Sequence, residues 1–120
     1  YGDDTRFTIM REHIATIEKS MRSIQKLGAA QEKDWNQLVR WIDNKELHAT
    51  KLQEVVWQYF LTQRVKLPED QDGRQAYLRQ LELLHRLSVY AMKCKQSVDL
   101  KWVERLGAAV DDFEKAYLGR

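Results

Sequence analysis

Residues 7–24 read FTIMREHIATIEKSMRSI. The apolar members Phe7, Met10, Ile14, Ile17, Met21 and Ile24 recur at alternating spacings of three and four. An α-helix turns once in about 3.6 residues, so this spacing puts them all on one face. A second stretch, VERLGAAVDDFEKAY at 103–117, repeats the pattern through Val103, Leu106, Val110, Phe113 and Tyr117. Both are seams of helices packed at a shallow angle against other helices. No stretch alternates apolar and polar residues as a half-buried strand would. The expected fold is therefore all-α.

Working outward, the spacing predicts helices over about 4–27, 30–65, 69–96 and 99–118. Gly28 is expected to end the first helix, as a residue able to take positive φ. Pro68, or else Asp72 with Gln75 as a capping box, is expected to start the third. Ser97 or Asp99 is expected to cap the fourth. In the second helix Lys45 falls where the seam should continue, and Asp43-Asn44-Lys45-Glu46 has capping-box spacing. A break near Asp43 would give five helices. Short connections favour antiparallel neighbours, so an up-down-up-down four-helix bundle is expected over 1–120 as a single domain.

The 120 residues are 43% hydrophobic and 32% charged, ordinary proportions for a helical domain that buries its own core. The net charge of +2 creates no strong field, which argues against a nucleic-acid partner. Cys94 is the only cysteine, so no intrachain disulfide is possible. No stretch of 18 apolar residues occurs, hence no expected membrane span. The chain starts at Tyr1 rather than Met, which reads as an excised domain or a processed product. Cytoplasmic localisation is favoured, with an extracytoplasmic domain of a membrane protein as the alternative.

The middle of the chain carries more apolar surface than one seam needs. With Trp35, Leu38, Ile42, Ala49, Leu52, Val56 and Tyr59 on the seam of the second helix, Trp41, Leu47, Val55, Trp57 and Leu61 fall outside it. In the third helix Leu81, Leu84, Ala91 and Val98 form one stripe and Leu83, Leu87, Tyr90 and Cys94 another. Such helices are either central or covered by a partner. Trp41, Trp57 and Leu61 are the candidate interface residues, with a second copy or another protein as partner.

Signals for chemistry are sparse. His13, His48 and His85 form no His-x-x-x-His pair, and Glu82-x-x-His85 stands alone. No metal ligand, cofactor or catalytic residue is assigned on this pattern. Arg79, Arg86 and Lys93 recur every seven residues and mark a speculative anion or RNA face with His85. The spacing Arg79-x5-His85 resembles the short Arg…His signature of HEPN-type helical ribonucleases. That resemblance implies an arginine and a histidine acting on an RNA phosphate across a dimer cleft. On one continuous helix, however, positions six apart diverge by about 240°. The expected function is a non-catalytic interaction, sensory or regulatory module. The alternatives are a HEPN-like ribonuclease and an extracytoplasmic ligand-sensing bundle.

Overall fold

The structure, a computed structural model, describes residues 2–119. It is built from α1 (Gly2–Ala29), α2 (Trp35–Glu54) running directly into a π-helical segment (Val55–Arg64), α3 (Gln71–Gln96) and α4 (Leu100–Leu118). No strand occurs among the described residues. The helices form a ring, each of α1 and α3 lying beside both α2 and α4. Cross-contacts fix their directions. Asp3 meets Tyr59, while Ser20 meets Asn44. Gln53 meets the Ser88 carbonyl, while Lys45 meets those of Cys94 and Ser97. Phe7 packs against Phe113, and Tyr90 against Trp102. The pairs between α1 and α2 and between α2 and α3 run in opposite directions, and the three residues 97–99 fold α4 back on α3, so the expected antiparallel bundle is what the chain forms. Its extents are 61 × 23 × 19 Å.

Aspartates start three of the helices. Asp34 accepts a hydrogen bond from the Gln37 amide at 3.1 Å, Asp70 from Gly73 at 2.8 Å, and Asp99 from Lys101 at 3.0 Å. Each satisfies a backbone N–H that the first turn leaves without a partner. Asp70 thus opens α3, rather than Asp72, and Pro68 stays outside the helix. Gly28 does not end α1, which runs on to Ala29. The left-handed cap belongs to Gly119, at φ 72°, after α4.

The two opening seams are real. Phe7, Met10, Ile17, Met21 and Ile24 are buried on α1, and Val103, Leu106, Val110 and Phe113 on α4. The middle helices differ from the periodic reading. Trp35 and Ile42 lie outside the core, Trp35 with 69% of its surface exposed. Both stripes of α3 contribute to the core, through Leu83, Leu84, Leu87, Ala91 and Cys94. The long helix passes Asp43 without a break. Lys45 is 3% exposed because its ammonium caps another helix. Its Nζ donates to the carbonyls of Cys94, Lys95 and Ser97 at 2.6, 2.8 and 3.0 Å. These carbonyls belong to the end of α3, where no amide remains to bond them and where the helix dipole favours a cation.

The irregularity in that helix falls at Val55 instead. There the bonding widens to five residues, as in the 2.8 Å bond from the Val65 amide to the Phe60 carbonyl. The wider turn changes the phase of the seam. Phe60 becomes fully buried and Tyr59 half-buried. Phe60 then fills one end of the bundle, 5.0 Å from both Phe7 and Phe113 between ring centres and 5.4 Å from Tyr117.

Candidate functional site

Polar side chains gather at two places between α1 and the long second helix. The first is the end where α1 begins and α4 finishes. The Asp3 carboxylate accepts from the Tyr59 hydroxyl and, at 3.0 Å, from that of Tyr117; Arg64 Nε lies 3.2 Å away. Arg6 stacks over the Tyr59 ring at 4.4 Å. Burial pushes the Asp3 pKa up, but the two phenol hydrogen bonds and the Arg64 charge outweigh it and hold the carboxyl below its ordinary value. The same bond to Asp3 raises the Tyr59 pKa. Burial, reinforced by Asp3, raises that of Tyr117. The cluster therefore holds one carboxylate charge against two neutral phenols. It lies directly over the Phe7–Phe60–Phe113 packing. Gly2 and Asp3 sit in the first turn of α1.

The second place is mid-bundle. His13 of α1 and His48 of α2 meet with Nδ1 atoms 2.9 Å apart and ring centres at 5.1 Å. Both are half-buried. Burial lowers the pKa of each; for His13 the neighbouring His48 and Lys51 push the same way against Glu12, and for His48 Lys51 does so. In the unfolded chain both imidazoles return to an ordinary value near 6.5. Below that pH the unfolded chain takes up more protons than the folded one. Stability from this pair is thus present above about pH 6.5 and lost as pH falls. Melting in the presence of a chelator is expected to occur at lower temperature at pH 5.5 than at pH 7.5. The drop should shrink when both residues are replaced by glutamine. An undiminished drop in that double variant would place the acid sensitivity elsewhere.

Cys94 is fully buried at the other end of the core. Burial pushes its thiol up to about 12, against a smaller opposing pull from Lys45. A neutral, buried thiol is a poor nucleophile. Among the described residues no group of three or more His, Cys, Asp or Glu comes together to hold a metal ion.

The residues singled out in the sequence are dispersed. Trp57 (49% exposed) and Leu61 (40%) do share one apolar groove of about 560 Å³ with Leu81, His85 and Met92. The Trp57 indole N–H donates to Ser88 Oγ at 2.8 Å, tying the groove's two walls together. Trp41 lies apart, beside Asn44 and Leu47 and 5.7 Å from the Lys19 ammonium. The three therefore do not make one continuous strip. Arg79 and His85 do not converge: Arg79 pairs with Glu82 at 3.0 Å while His85 lines the groove. Arg86 also pairs with Glu82, at 3.2 Å, and Lys93 sits 5.5 Å from the Trp102 ring, which Lys101 and Arg105 approach as well. Neither the Asp3 cluster nor the His13–His48 pair is legible in the sequence. Each joins residues 35 or more positions apart, and only the antiparallel register brings them together.

A sequence model of the family described as nickel-containing superoxide dismutase matches residues 1–120. No curated protein and no solved structure matches the chain. The family is one of oxidoreductases, and it overturns the expectation of a non-catalytic interaction, sensory or regulatory module. The ribonuclease and ligand-sensor alternatives fall with it. A bundle seam specifies packing and carries no trace of a redox reaction.

Proposed function

The chain belongs to the nickel-containing superoxide dismutase family, and we propose that it acts in the disproportionation of superoxide. In that reaction one superoxide is oxidised to dioxygen and a second is reduced to hydrogen peroxide with uptake of two protons. The observation that carries this reading is the family match across residues 1–120. When bound, nickel would supply the one-electron chemistry. The described residues do not fit it as a site of their own. The one thiol is fully buried and no group of three or more His, Cys, Asp or Glu converges. The donors of a nickel centre are thus not assembled by residues 2–119, and no redox step is routed through them. The bundle's part is to give the enzyme a rigid helical body. The test is superoxide removal by the natural full-length protein, nickel-loaded and nickel-free. Acceleration that depends on nickel is expected. A rate equal to that of buffer with nickel present would refute the assignment.

Self-association over the groove at Trp57 and Leu61 is a second element of the proposal. It is supported by the exposure of large apolar side chains along one face. No helix among the described residues is long and apolar enough to cross a membrane, so that face is not part of a spanning helix. Trp57→Glu is expected to shift sedimentation equilibrium towards the monomer while the far-ultraviolet circular dichroism stays helical. A wild type that remains monomeric at high concentration would remove this element and leave the dismutase assignment standing.

A further inference from the structure

We propose that His13 and His48 form a two-imidazole site for a divalent transition-metal ion, clipping α1 to α2. Two nitrogen ligands about 2.0–2.1 Å from one ion and at right angles to each other lie about 2.9 Å apart. The Nδ1 atoms of His13 and His48 are 2.9 Å apart. The spacing is narrower than a tetrahedral ion prefers. It suits the tetragonal geometry of copper(II), which also stands highest in the general affinity order for divalent ions. The two rings come from different helices, so their approach is set by the register of α1 against α2 and not by local sequence.

The surroundings allow an ion. His13 opens on a cavity of about 370 Å³ that Arg6, Lys51 and Glu54 also line, so water can complete the coordination from the solvent side. Arg6 and Lys51 bring two positive charges to the neighbourhood. Glu54 and Glu12, the latter adjacent to His13, bring two negative ones. The ion therefore meets a near-balanced field. Above the imidazole range the pair is neutral and shares one proton between its Nδ1 atoms. Binding requires that proton to leave its Nδ1, either for Nε2 of the same ring or for solvent. No electron transfer is involved.

The proposal stands independently of the dismutase assignment, because its readout is binding. The experiment titrates copper(II) into the protein and records electron paramagnetic resonance and thermal melting. One equivalent is expected to give a tetragonal signal with hyperfine splitting from two imidazole nitrogens. Binding to the folded state should also raise the folding equilibrium constant about 100-fold when free copper is 100 times its Kd. His13→Gln and His48→Gln, each conservative enough to keep the bundle, should each weaken binding at least tenfold and reduce the splitting to one nitrogen. Should either variant lose its helical dichroism, proton–nitrogen correlation spectra of the wild type decide the matter, with broadening at both Nδ1 atoms expected. Copper binding that leaves both variants unaffected, a signal without imidazole nitrogens, or unbroadened Nδ1 resonances would each overturn the proposal.

Discussion

Lys45→Met is expected to destabilise the fold by about 2–4 kcal/mol, although it puts an apolar side chain at an apolar seam position. Methionine matches the lysine stem but has no donors. Three carbonyls, of Cys94, Lys95 and Ser97, would lose their shared ammonium in a place that water reaches poorly. A buried acceptor left without a partner costs roughly 1–3 kcal/mol. Removing the buried charge offsets part of that, since burial disfavours the ammonium, as its lowered pKa indicates. The last turn of α3 should also fray, so amide exchange over residues 93–96 should quicken more than in the rest of α3. Equal or greater stability in the variant would mean that the seam prefers an apolar residue and that the helix-capping role is wrong.

Phe60→Ala is expected to cost about 3–5 kcal/mol, the range for emptying a large aromatic site in a core that cannot collapse. Phe60 is fully buried and touches the rings of Phe7, Phe113 and Tyr117, so three of the bundle's long elements lose packing at once. The denaturant midpoint should fall sharply with little change in slope. Trp35→Ala provides the contrast. It removes a larger side chain from what periodicity marks as the same seam, but Trp35 is largely exposed and the change should stay within about 0.5 kcal/mol. The reverse ranking would restore a uniform α-helical phase through residues 35–64 and rule out the π segment.

These two residues also show what could be read in advance. The helix seams of α1 and α4 are legible because their inward residues, Ser20 of α1 excepted, are apolar and the period never slips. So are the all-α class and the antiparallel order. Lys45 misled because a polar residue at a seam position normally marks a break. Nothing local reveals that its partners are carbonyls some 50 residues later. Phe60 is not legible because the turn widens past Val55: a fixed period of 3.6 keeps Val56 on the seam but then selects Tyr59, whereas the wider turn buries Phe60. The enzymatic assignment was not legible for a different reason. The described residues assemble no redox centre, so no motif among them could announce one.

The central claim is that this chain forms the body of a nickel superoxide dismutase while its own core thiol takes no part in the metal centre. It is tested most directly by measuring nickel content and superoxide decay, by pulse radiolysis, in the nickel-loaded natural full-length protein and its Cys94→Ala variant. The substitution leaves the Lys45 bonds intact, since the acceptor at residue 94 is the backbone carbonyl. Equal nickel content and equally accelerated decay in both proteins are expected. Loss of nickel and of activity in a folded Cys94→Ala would contradict the account, because it would make the buried thiol a ligand.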